Sequence, residues 1–80
     1  NTLSSIQIVP NPAKNQIRIN GISNIENNFS LYDLSGKLIL KKEQISDHDI
    51  IDLSSISNGM YLIQFRQSDK VRFMKLEVIK

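Results

Sequence analysis

Apolar residues in this chain recur at every second position, in short runs that each end on a turn-forming residue. Ile17 and Ile19 alternate with Gln16, Arg18 and Asn20, and Tyr61, Ile63 and Phe65 alternate with Leu62 and Gln64. Successive side chains of an extended backbone leave on opposite faces, so such runs make strands with one face buried. No helical period persists beyond a turn. Isoleucine is the commonest apolar residue, and its branched β-carbon favours the pleated surface. Alanine, the best helix former, appears once, at Ala13. Eighty residues make one domain. A chain this short buries only about 60% of the surface its unfolded form exposes. With no cysteine for a disulfide, and no Cys/His cluster for a structural metal, the core must come from aliphatic side chains.

Along the chain the punctuation is regular. Residues 1–5 are polar and read as a tether to an upstream domain, with residues 6–80 as the folded unit. Ile6 and Ile8 alternate before Pro10-Asn11-Pro12, whose fixed φ and missing donors bend the chain at a sheet edge. A strand over 16–20 ends at Asn20-Gly21. Residues 22–28 read as a loop with Ile22 or Ile25 turned inward. A strand over 29–34, with Phe29 and Leu31 on one face, leads through Asp33-Leu34-Ser35-Gly36-Lys37, a hairpin signal in which Gly36 supplies positive φ. Leu38 and Leu40 then face one way, with Ile39 on the other side. A polar connection over 42–47 and a short strand over 48–52 follow.

Residues 53–57 are suited to one helical or 3₁₀ turn, and Asn58-Gly59 to the turn after it. The strongest strand spans 60–66, Gln67-Ser68-Asp69 turns the chain, and the last strand spans 71–79. There the alternation changes phase. Val71 and Phe73 share one face while Met74, Leu76 and Val78 share the other, so either both faces are partly covered or a bulge near Phe73 resets the register. Seven short strands at this spacing predict an all-β, Ig-like antiparallel β-sandwich.

The net charge of +2 is too small to argue for nucleic acid. Stacking aromatics are also missing from the basic segment around Arg66, Lys70, Arg72, Lys75 and Lys80, where only Phe73 occurs, read here as core. Lysine and arginine on such a strand discourage stray pairing and also present a readable surface. No apolar run approaches the roughly 20 residues of a membrane span. The chain opens on Asn1 without a signal peptide, as expected of a piece of a longer protein whose export signal lies upstream.

Ser46-Asp47-His48-Asp49 contains the residue types of a hydrolytic triad, but adjacent strand residues point to opposite faces, so contiguity argues for a loop-to-strand junction. A metal site from the same residues fails for the same reason, and no calcium-loop spacing is present. The glycines at 21, 36 and 59 lie far apart, each at a turn, and cradle no phosphate. Neither catalytic residues nor a cofactor are expected.

Three phrases in fixed order carry a resemblance: Pro10-Asn11-Pro12-Ala13 after a strand; Leu31-Tyr32-Asp33 leading to Ser35-Gly36-Lys37; and Asp52-Leu53-Ser54, Ile56, Gly59 and Tyr61, followed by a basic strand with Lys75 and a terminal Lys80. From Ile6 to Lys80 the chain resembles the type A C-terminal sorting domains of the type IX secretion system of Bacteroidetes. One departure is visible: Ser57 stands where the family often has proline. The resemblance implies a label on a larger exported cargo. It implies engagement of the outer-membrane translocon and removal by a cell-surface sortase within or before residues 1–5, with transfer of the cargo to an anionic lipopolysaccharide. The sorting-motif residues would be Pro10, Asn11, Pro12, Gly36, Gly59, Tyr61, Lys75 and Lys80. Export through the periplasm and outer membrane, no membrane insertion, and dimerisation by strand exchange complete the expectation. The competing reading is an Ig-like adhesion or carbohydrate-binding module of a surface enzyme.

Overall fold

The structure is a computed structural model that describes residues 6–22 and 27–80. Its strands are β1 (Gln7–Val9), β2 (Gln16–Asn20), β3 (Asn27–Asp33), β4 (Leu38–Lys42), β5 (Ile50–Asp52), β6 (Gly59–Gln67) and β7 (Lys70–Val78). They form a three-stranded sheet of order β1-β2-β5 and a four-stranded sheet of order β4-β3-β6-β7, with every strand pair antiparallel. The shortest dimension of the molecule, 19 Å, fits two sheets stacked about 10 Å apart. This is the Ig-like antiparallel β-sandwich that the alternation predicts.

The core lies between the sheets. Ile17, Ile19 and Ile51 of the smaller sheet meet Phe29, Leu31, Ile63, Phe65, Leu76 and Val78 of the larger one. Each such side chain contributes about 1.5–3 kcal/mol relative to exposure. Leu53, Ile56, Ile22 and Ile45, outside the strands, are buried in the same cluster. The tether expected at 1–5, and Ile25, lie outside the described residues.

The β3–β4 hairpin is held by Asp33. Its N–H donates to the Lys37 carbonyl (2.9 Å), and the Gly36 N–H donates to the Asp33 carbonyl (3.0 Å), leaving a three-residue loop. Gly36 has φ +92° with open space around it, so its role is backbone conformation alone. The Asp33 carboxylate accepts the N–H groups of Ser35 and Lys37 and the Ser35 hydroxyl.

Several local expectations change. β3 begins at Asn27, because Asn27 and Asn28 already pair with Gln67 and Arg66. β5 begins at Ile50, since His48 (φ +69°) belongs to the preceding turn. The single turn expected over 53–57 is present: Ile56 N–H bonds the Leu53 carbonyl (2.9 Å), an i→i+3 bond that is not propagated. Leu38 and Leu40 do not share a face. The β3–β4 register shifts between Leu31 and Tyr32, pairing Leu40 with Leu31 but Leu38 with Tyr32, so Ile39 is the extra residue of a bulge. Near Phe73, where a bulge was the alternative, the β6–β7 register runs unbroken from Gly59↔Val78 to Gln67↔Lys70. Phe73 is therefore not core. It stands on the outer face, 58% exposed.

Candidate functional site

Strand β7 is the last strand of the four-stranded sheet, so among the described residues one side of its backbone has no neighbouring strand. In an antiparallel ladder alternate residues aim both backbone groups away from the partner. On β7 these are the odd-numbered residues, as the bonds of Lys75, Glu77 and Ile79 to groups outside β6 establish. The Pro-Asn-Pro-Ala motif lies against the second half of this edge.

Asn11 Nδ2 donates to the Lys75 carbonyl (3.1 Å), and its Oδ1 accepts the Glu77 N–H (3.2 Å). Ala13 N–H donates to the Glu77 carbonyl (2.7 Å), and Ile79 N–H donates to the Ala13 carbonyl (2.8 Å). Ala13 is fully buried beside Val78 in a parallel bridge. Residues 10–13 are thus a strap that leaves β1 in one sheet and fastens onto the edge of the other. Pro10 and Pro12, both after cis peptide bonds, are exposed on either side of Asn11. Neither needs a backbone donor, which leaves the Asn11 side chain and the Ala13 backbone to bind β7.

The remaining motif residues divide by role. Tyr61, at the start of β6 and 9% exposed, donates its hydroxyl to the Ser57 carbonyl four residues upstream (2.7 Å). This is the tyrosine corner of Greek-key sandwiches. Gly59 has φ +153°, and a Cβ there would meet the Tyr61 ring only at ordinary contact distance, 3.8 Å or more. Lys80 is built into the fold. Its Nζ donates to the carbonyls of Leu53 (2.9 Å) and Ser54 (3.0 Å), and its N–H donates to Asn58 Oδ1 (2.9 Å). Lys75 alone among the motif cations displays an exposed side chain with no protein partner among the described residues.

Beside Lys75 the outer face carries a feature that periodicity did not single out. Tyr32, Leu34, Met60, Leu62, Phe73 and Lys75 line an apolar groove of about 430 Å³. Tyr32 donates its hydroxyl to Gln64 Oε1 within it (3.1 Å). Alternation puts Met60 and Leu62 on one face of β6, and Phe73 and Lys75 on one face of β7, but it does not say which face meets the second sheet. The out-of-phase pair Val71 and Phe73 was the available signal.

The Ser46–Asp49 cluster is a turn. Asp47 Oδ1 accepts the N–H groups of Gly21 (2.7 Å) and Ile22 (3.3 Å), and Asp49 Oδ2 accepts the Ser46 N–H (2.7 Å). His48 Nδ1 lies 2.8 Å from Asn20 Oδ1, and its Nε2 lies 3.2 Å from Asp47 Oδ2. Among the described residues no three His, Cys, Asp or Glu side chains converge as metal ligands. Three carboxylates sit below their ordinary range because they accept hydrogen bonds: Asp33 chiefly from the Ser35 hydroxyl, Asp47 from the Gly21 N–H, and Asp52 from the Ser54 N–H. All three are turn acceptors.

A family model described as the Secretion system C-terminal sorting domain matches residues 7–80. No curated protein matches the chain. The family match takes in all seven strands, the strap and Lys80, and on that basis the chain belongs to the C-terminal sorting domains of type IX secretion.

Proposed function

We propose that the type IX translocon reads this domain folded, through the edge and basic side chains of β7, and that a cell-surface sortase then cuts within or before residues 1–5 and joins the cargo to an anionic lipopolysaccharide. Residues 1–5 serve as the tether and 6–80 as the label. A sorting domain of this family marks an upstream cargo for the type IX machinery, which exports it across the outer membrane to the cell surface or the medium. The family is not one of enzymes.

The observation that carries the reading is the position of β7 at the border of its sheet. Backbone N–H and C=O groups at such a border bind an added strand with little demand on sequence, which suits a receptor that must accept many labels. The stretch available is shorter than the whole terminal segment 71–80, because the strap occupies its second half.

The test is a fluorescent cargo fused to the full chain in a bacterium with an active type IX system. Deleting the terminal residues would confuse recognition with folding, since Ile79 and Lys80 hold the fold together. Charge reversal of the exposed Arg66 and Lys75 avoids that problem. The expected result is loss of export with an unchanged circular dichroism spectrum. Export at the original level would overturn the role given to β7. Mass spectrometry of the surface form tests the sortase step. A cargo still carrying residues 6–80 would overturn it.

A further inference from the structure

We propose that the half of the β7 edge that no described residue covers, residues 71–75, is a docking site for a short, extended, acidic segment of a partner protein. The proposal rests on the reading above that β7 is presented to a partner, and it adds the length, the chemistry and the boundary of the site. Val71 and Phe73 aim both backbone groups outward, and so does the N–H of Lys75, by the same alternation that sends the Glu77 groups to the strap. Asn11 holds the Lys75 carbonyl and so marks where an added strand must stop.

The surroundings choose the occupant. Val71 (37% exposed) and Phe73 (58% exposed) stand together on the outer face, an apolar pair on an open edge, where natural sheets usually avoid one. Arg66 and Lys75 flank them on the same face, and Lys70 begins the strand. None of these three cations has a carboxylate partner among the described residues. The acids nearby are Asp69, at the turn, and Glu77, beside the strap at the far end of the strand, against Arg66, Lys70, Arg72 and Lys75. A second copy of this edge would bring the same cations against themselves, which disfavours self-pairing. Phosphate chains match the charge but lack the alternating donors and acceptors that the edge offers. A peptide strand that carries, on the one face, an apolar side chain to lie across Phe73 and a carboxylate on either side of it satisfies backbone, charge and apolar surface together.

The test uses the full chain and two blocked heptapeptides. In one, glutamates at positions 2 and 6 flank a valine at position 4, with threonine at the odd positions, so that the three share one face of the strand. In the other, lysine replaces glutamate. Amide hydrogen exchange is followed by NMR. Exchange at Val71 and Phe73 should slow about tenfold when the glutamate peptide occupies about nine-tenths of the sites. The lysine peptide should leave it unchanged. No slowing, or equal slowing by both peptides, overturns the proposal. Val71→Pro removes an outward N–H while sparing the ladder to β6, a place where sheets tolerate proline. It should abolish binding, and undiminished binding by the folded variant overturns the site. Joint reversal of Arg66 and Lys75 to glutamate touches only exposed positions and should switch preference to the lysine peptide. Retained preference for glutamate overturns the charge argument. Val71→Pro in the export assay separates the two levels: peptide binding lost with export intact keeps the site and overturns its use in sorting.

Discussion

Asn11 offers a direct measure of the strap. Replacing it with alanine removes the bond to the Lys75 carbonyl and the bond from the Glu77 N–H. Intramolecular hydrogen bonds contribute about 0.5–1.5 kcal/mol each, and these lie at an exposed edge where water replaces the lost partner. The lower part of the range applies, so Asn11→Ala should cost about 1–1.5 kcal/mol. For a chain of this size that is a fall in Tm of roughly 5–10 °C. Asn11→Asp separates the two bonds. Its carboxylate still accepts from Glu77 but cannot donate to Lys75, and it faces that carbonyl with a negative charge.

Amide exchange resolves the pair. The Glu77 N–H should exchange faster in Asn11→Ala than in the parent and stay protected in Asn11→Asp. The Ile79 N–H, bonded to the Ala13 backbone, should remain protected in both. An unchanged Tm with unchanged Glu77 exchange in Asn11→Ala would refute the claim that this side chain closes the edge.

Three further outcomes are expected. Gly59→Ala places a Cβ at φ +153° without a clash; backbone strain of about 1–3 kcal/mol, less about 0.4–1 kcal/mol of unfolded-chain entropy, should lower Tm in a thermal melt, and a rise would show that the conformation is not strained. Tyr61→Phe leaves the Ser57 carbonyl without its 2.7 Å donor and should cost about 1 kcal/mol in urea unfolding; an unshifted midpoint would remove the corner from the account. Asp33, Asp47 and Asp52 have folded pKa values below the ordinary 3.8, so their contribution is present above that pH and lost as pH falls through the lower folded values; Tm should hold down to about pH 5 and then drop, whereas a Tm that rose on acidification would reverse the sign argued here.

Much of this architecture is legible in the linear pattern. The alternation at 16–20 placed Ile17 and Ile19 on a buried face, and that at 60–66 grouped Tyr61, Ile63 and Phe65 on one face, which the structure turns inward. The Asp-Leu-Ser-Gly-Lys phrase specified its hairpin because the turn is made by local N–H groups donating to one Asp side chain. Long-range partners left no such trace. Asn11 reaches across 64 residues to Lys75, and nothing near Asn11 in the chain encodes that. Lys80 read as a displayed charge because spacing cannot reveal that two carbonyls of the β5–β6 connection await its ammonium group. Phe73 read as core because aromatic residues are usually buried, and only the unbroken β6–β7 register puts it outside.

The strap has one more consequence, for the order of events during synthesis. Its docking groups lie on the seventh strand of the domain, so residues 10–13 stay unanchored until 75–79 have been made. A cargo whose translation stops inside the label would carry a sandwich that cannot shut, with the neighbouring sheet border missing as well. Closure of the domain therefore certifies that the message was read through this point, and an exporter that accepts only the closed form would turn away unfinished freight without any separate proofreading device.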